Sequence, residues 1–180
     1  MRFDNQIAQV PSSSPAVFEN LGETEHKGIE TALEYRFTEE SVLDGLSLYA
    51  NYTYTEAIQK SGDNVGNDVA FYSRNTDTLG ARYALGAWAF DLSSTHQSAQ
   101  YADPANTVAE SPSANTGRIP GFRVWNAQAS WKMPGNKGLN LVAGLNNLTD
   151  KRYYTRNVDG NAGRMVGAPR TVYVQGRYAF

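Results

Sequence analysis

Apolar and polar positions alternate with a period of two along most of this 180-residue chain. Between residues 28 and 37, Ile29, Thr31, Leu33, Tyr35 and Phe37 alternate with Glu30, Ala32, Glu34 and Arg36. Leu46, Leu48, Ala50, Tyr52 and Tyr54 alternate with Ser47, Tyr49, Asn51 and Thr53. The repeat returns at Leu79–Leu85, at Trp88, Phe90 and Leu92, at Trp125–Met133 and at Leu139–Leu145. In the last eleven residues, Val172, Val174, Tyr178 and Phe180 share one face and Thr171, Tyr173, Gln175 and Arg177 the other. Period two belongs to strands whose two faces meet different surroundings. The pattern predicts strands at 28–37, 46–55, 78–85, 88–92, 125–133, 139–146 and 170–180. A further segment at 2–9 makes about eight.

The connections sharpen this picture. Short ones fall at 38–45, around Gly86 and at 134–138; long ones fall at 10–21, 59–75, 100–121 and 155–169. Short and long alternate without exception. Outer-membrane barrels do this, with tight periplasmic turns and long external loops. The prediction is an all-β fold, an antiparallel meander of about eight transmembrane strands that descends to a periplasmic C-terminus. Outer-membrane lipid would then meet the apolar face.

Composition agrees once strands are considered. Hydrophobic residues make up 41% and charged residues 19%, and mean hydropathy is -0.51. No run of about 18 apolar residues could form a membrane-spanning helix. A barrel escapes that demand because alternate residues alone face lipid. The 11 tyrosines suit strands and membrane interfaces. Absent cysteines remove disulfide frameworks, thiolate metal sites and cysteine nucleophiles. A net charge of -2 without a basic run argues against nucleic acid as a partner. The first residues, M-R-F-D-N-Q-I-A-Q, have no apolar core and are not a secretion signal.

Catalysis finds little support. His96, Ser94 and Asp91 lie close in sequence, but Asp91 has the opposite parity and faces away. No G-x-S-x-G turn is present. No spacing of His, Asp and Glu suggests a metal site, and no cofactor is expected.

Three segments resemble the C-terminal part of TonB-dependent outer-membrane receptors, and most closely the ferric siderophore and ferric citrate branch. They are Glu25-His26-Lys27-Gly28-Ile29-Glu30, then Asn146-Asn147-Leu148-Thr149-Asp150-Lys151-Arg152-Tyr153-Tyr154, then Gly167-Ala168-Pro169-Arg170-Thr171-Val172-Tyr173-Val174 with the terminal Arg177-Tyr178-Ala179-Phe180. The resemblance implies a barrel of 22 strands, of which residues 1–180 would be the C-terminal portion. The plug domain and TonB box would lie outside this chain. It also implies two partners of the intact receptor, a ferric chelate and TonB. A complete small eight-stranded barrel with a structural or adhesion role is the alternative, and a soluble ligand-binding barrel a third reading.

Residue roles follow as expectations. Asn146, Asn147 and Asp150 should satisfy backbone groups at a bend. Tyr153 and Tyr154 should join an external aromatic girdle, with Trp88, Trp131, Phe37 and Phe180 in the periplasmic one. Glu30, Glu34, Arg36, Arg82, Arg123 and Arg177 should point into the lumen. Arg74, Arg118, Arg156 and Arg164 lie in long loops, where an anionic chelate would need fixed positive charge in a fork geometry. They are the candidate ligand-binding residues.

Overall fold

A computed structural model describes residues 1–9, 17–38, 40–135, 138–157 and 162–178. Its strands are β1 (Arg2–Gln9), β2 (Phe18–Arg36), β3 (Leu46–Gln59), β4 (Asn75–Leu85), β5 (Trp88–Gln97), β6 (Gln100–Tyr101), β7 (Arg118–Ile119), β8 (Phe122–Lys132), β9 (Leu139–Asn146), β10 (Tyr154–Asn157), β11 (Arg164–Val166) and β12 (Thr171–Tyr178). Eight of them form one sheet in the order β1-β2-β3-β4-β5-β8-β9-β12. Each neighbouring pair is antiparallel. This is the predicted meander. The terminal Ala179 and Phe180 lie outside the described residues, as do Val10–Ala16 of the first long connection.

Several strands outrun their apolar alternation. β2 begins at Phe18, ten residues before the expected start, and pairs Thr24 with Gln59 at the far end of β3. Residues 22–27 are largely polar on both faces, so hydrophobic periodicity cannot reveal them, while backbone pairing continues. The two later long connections are not plain loops. Each carries a short ribbon, β6 with β7 and β10 with β11.

The two faces of the sheet differ as the alternation predicts. Ile29, Leu33, Leu48, Leu79, Phe90, Leu92, Val172 and Val174 are large, apolar and exposed. Trp88 stacks on Trp131, with ring centres 5.8 Å apart, beside the tight turn after β4. Trp125 lies six residues from Trp131 on the same face of β8, roughly 20 Å along the strand. Aromatic residues at two levels, bracketing an apolar band, are what a lipid-facing wall presents.

The other face is polar and locked by tyrosine-over-glycine contacts. The Tyr49 ring lies across Gly80, and the Tyr173 ring across Gly144, where a Cβ would collide with it. Tyr49 donates its hydroxyl to Asp91 at 3.2 Å. Arg82 donates Nε to the same carboxylate at 3.0 Å and stacks on Tyr49. Tyr173 donates to Gln128 at 2.8 Å. Glu34, Arg36, Arg82 and Arg177 lie on this face as expected. Arg123 does not. It pairs with His96 in register and shares the apolar face with Trp125. Parity decides this: two residues separate Arg123 from Trp125, so both side chains project the same way.

β1 and β12 are the two edges of the sheet and do not pair with each other among the described residues. A complete eight-stranded barrel would require that pairing. A soluble barrel would bury the apolar face, which is exposed here.

Candidate functional site

The buried residues gather at the long-loop end of the sheet. Thr24, Ala57, Gln59, Val69, Ser94, Gln100, Ala102, Asp103, Asn115, Ile119, Val124, Asn147 and Asn157 are all buried there. Most are polar, so hydrogen bonds rather than apolar packing hold this cap together.

Asp103 organises the third long connection. Its carboxylate accepts from the Thr107 amide and hydroxyl at 3.2 and 2.9 Å and from the Gly117 amide at 3.0 Å. Gln59, at the tip of β3, donates to the carbonyls of Asp68 and Pro104. Asn106 accepts from the Asp68 amide at 2.7 Å and donates back to its carbonyl at 2.8 Å. The second long connection is thereby tied to the third. Gln100 donates to the Thr155 carbonyl at 2.7 Å, and Asn157 to the Asn115 carbonyl at 2.6 Å. These bonds tie the fourth connection to the third. Three loops act as one body.

Asn147 fixes the root of the fourth connection. Its amide donates to the carbonyls of Lys151 and Ala168, each at 2.9 Å, and its oxygen accepts from the Lys151 amide at 2.8 Å. Asp150 accepts from the Arg170 amide. Asn147 and Asp150 have φ of 51° and 53°, a region that Asn and Asp tolerate best after glycine. The expected bend roles of these two are met. Tyr153 departs from expectation. It packs across Gly167 and against Phe122, with ring centres 4.2 Å apart. Phe122 has the parity of the polar face, so Tyr153 is drawn inward and away from any lipid girdle.

All four candidate arginines lie in this cap, each in a different setting. Arg74 donates to Asp68 through Nε and Nη2 at 3.2 and 2.6 Å. That hydrogen-bonded carboxylate holds its guanidinium still more firmly protonated. Arg156 lies over the Phe71 ring at 5.3 Å and is exposed. The Arg164 side chain is 6% exposed, 3.2 Å from Glu110 and over the Tyr154 ring. Arg164 also donates to the Arg118 carbonyl at 3.2 Å. Arg118 is exposed, and its guanidinium has no acidic or aromatic partner among the described residues. Arg118 and Arg156 therefore present charge outward, while Arg164 serves the cap's own packing. Chemically, the cap offers a rigid polar surface with fixed cations.

His96, Ser94 and Asp91 form no catalytic arrangement. Asp91 is engaged with Arg82 on the polar face. Ser94 accepts from Arg123 at 2.7 Å, and His96 faces Asp77 at 2.8 Å. Among the described residues, no group of three or more His, Asp or Glu could hold a metal ion. The Asp77–His96–Arg123 cluster itself escaped the sequence reading. Its signal was available: all three share the parity of neighbouring apolar residues in β4, β5 and β8.

Residues 1–148 match the family model described as TonB dependent receptor-like, beta-barrel. The chain is 26% identical over 156 residues to the probable TonB-dependent siderophore receptor PiuA of Acinetobacter baumannii, covering 79% of this chain and 19% of that protein. Among solved structures it is similar to the ferric citrate transporter FecA in the unliganded form. That likeness has a TM-score of 0.80 and 40% identity over 87% of this chain and 24% of FecA. The A. baumannii PiuA structure shares the fold, with a TM-score of 0.69 and 22% identity over 98% of this chain and 25% of PiuA. The copper transporter OprC also shares the fold, at a TM-score of 0.76 and 17% identity over 99% of this chain and 26% of OprC. The chain thus spans about a quarter of the length of these structures. With its exposed apolar wall, polar inner face and interlocked long loops, the chain belongs to the family of TonB-dependent receptor β-barrels.

Proposed function

We propose that this chain is the C-terminal wall of an outer-membrane receptor that takes up a ferric siderophore or ferric citrate-like chelate. The single observation that carries the reading is the 40% identity to the ferric citrate transporter FecA over 87% of the chain. In this reading the long-loop cap faces the exterior and the tight turns face the periplasm, where β12 ends. The polar face, with Arg82, Asp91 and Tyr173, borders the lumen and meets a plug domain. TonB couples energy through that plug, and this chain supplies wall and loops.

Ligand contact falls to the cap. A ferric chelate carries its iron already coordinated, so the cap has only to recognise an anionic surface. Arg118 and Arg156 are exposed and suited to charge-assisted hydrogen bonds. Arg74 and Arg164 contribute through a cap already ordered by Asp68 and Glu110. The decisive experiment is uptake of radiolabelled ferric citrate and of ferric hydroxamate and catecholate chelates by cells expressing the full-length receptor, with and without TonB. TonB-dependent accumulation of one of them supports the proposal. Accumulation of none, with the receptor present in the outer membrane, overturns it.

A further inference from the structure

The polar face carries a row of hydrogen-bond donors at its tight-turn end. Lys132 on β8 pairs in register with Asn140 on β9, and Asn140 with Arg177 on β12. Parity sets their direction. Gln128, Gly144 and Tyr173 form the rung four residues higher, where Tyr173 lies across Gly144 and donates to Gln128 on the polar face. Side chains four residues apart on a strand project the same way. Lys132, Asn140 and Arg177 therefore share that face, roughly 13 Å nearer the tight turns. Neighbouring strands lie about 4.8 Å apart, so the row is roughly 10 Å wide.

The charge of this row is uncompensated. Lys132 and Arg177 are exposed, and neither side chain forms an ion pair or hydrogen bond among the described residues. Nearby charges of the same face are already matched, Arg82 with Asp91 and Arg36 with Glu34. Glu30 stands on β2, four strands away from β8. The side-chain oxygen of Asn140 is buried, so Asn140 offers the lumen its Nδ2–H donors alone. An ammonium, an amide and a guanidinium in line present donors and no acceptor. Their complement is an anion rich in carboxylates, which a guanidinium fork meets in bidentate fashion.

We infer that this row is an exit station, which holds the uncoordinated carboxylates of a polycarboxylate chelate as it leaves the lumen for the periplasm. The inference rests on the transport reading and on the orientation given above. Arg118 presents charge at the entrance, and Lys132 with Arg177 does so at the opposite end of the same wall. Binding at an exit has to be weak, because a transported ion must leave its last site as readily as it enters. Exposed cations, screened by salt, meet that requirement. Without them an anion crosses the mouth with no positive potential to draw it there.

The first test reads the anion site directly. Gln175→Cys places a thiol on the polar face, two residues from Arg177. In the full-length receptor in detergent, a sulfonate-bearing methanethiosulfonate should modify that thiol about tenfold faster than a trimethylammonium one, relative to their rates with a free thiol. Lys132→Gln and Arg177→Gln should each cut this preference roughly threefold, and Lys132→Arg should keep it. Lys132→Gln breaks no ion pair, so it carries the test if Arg177→Gln fails to fold. Free citrate should slow the anionic reagent, and should not do so in the double variant. A missing preference, one untouched by the double variant, or citrate without effect overturns the inference.

The second test reads the role. Cells expressing the full-length double variant with TonB should take up radiolabelled ferric citrate about three- to tenfold more slowly at saturation. Binding of ferric citrate to cells lacking TonB should be unchanged. Equal uptake overturns the exit role. Vancomycin sensitivity of the double variant without TonB also overturns it, since the row would then hold the plug in place. A wild-type receptor that accumulates no chelate, with the thiol preference intact, overturns the transport reading and the exit role while the anion site stands.

Discussion

The side-chain amide of Asn147 donates to the Ala168 carbonyl at 2.9 Å, joining the end of β9 to the entry of β12. The same side chain brackets Lys151 through donor and acceptor. Asn147 is 3% exposed with a φ of 51°.

Replacing Asn147 with Ala therefore removes three hydrogen bonds, leaves buried backbone groups unsatisfied and puts a Cβ with no compensating bonds in a left-handed conformation. The expected loss is about 2–4 kcal/mol. Asn147→Gly keeps the backbone at ease and should recover less than about 1 kcal/mol of it. The midpoint of heat modification of the intact receptor on unboiled gels measures both. An Ala variant that melts with the wild type would show the bonds to be dispensable.

On the polar face, the Tyr49 ring occupies the space a Cβ on Gly80 would need. Gly80→Val should displace the ring and break its bond to Asp91, costing about 1–3 kcal/mol through overpacking. In a Tyr49→Ala background the same substitution meets an open surface, and most of that cost should vanish. A double-mutant cycle on denaturant midpoints reads the coupling. Additive effects would refute the contact as the reason for glycine at this position.

The wall was legible in sequence because each strand divides two unlike surroundings. Leu33 against Glu34, or Val174 against Gln175, announces its face residue by residue. That signal fades where both faces are wet. The extension of β2 from Phe18 to Lys27 and the ribbons β6–β7 and β10–β11 rest on backbone pairing and buried amides, which leave no periodicity. Arg123 shows a different failure. Its charge suggested the lumen, but parity with Trp125 fixed it to the apolar face. Arg74 and Arg164 were found as loop cations. Their partners Asp68 and Glu110, far away or unremarkable in sequence, could not be assigned without the fold.

His26 gives the cap a pH dependence. Its ring meets Phe3 edge-on at 5.1 Å and Tyr72 at 4.9 Å. Burial lowers its pKa below the usual 6.5. The unfolded chain therefore takes up the proton first as pH falls, so stability is full above about 6.5 and is lost on the way down to the folded-state value. Hydrogen-exchange protection factors at the tips of β2 and β3, each referred to the intrinsic rate at its own pH, should be lower at pH 5 than at pH 7.5. His26→Phe, which keeps the ring contacts, should abolish that difference. Persistence of the full pH effect in His26→Phe would assign it to another group.

Arg118 and Arg164 touch through a backbone carbonyl but should fail differently. Arg164→Gln strips the partner from Glu110 and the cation from the Tyr154 ring. The fourth connection should loosen by about 1–3 kcal/mol and become open to protease. Arg118→Gln removes an exposed charge and should change stability by less than about 0.5 kcal/mol. If the cap receives an anionic chelate, Arg118→Gln should still weaken its binding, by about three- to tenfold, with protease resistance intact. Weakened binding in Arg164→Gln should come together with loop cleavage. Should Arg118→Gln bind the transported chelate as tightly as the wild type, Arg118 is no ligand contact. Weakening confined to Arg164→Gln would then make cap order, not arginine charge, the source of recognition at this end of the wall.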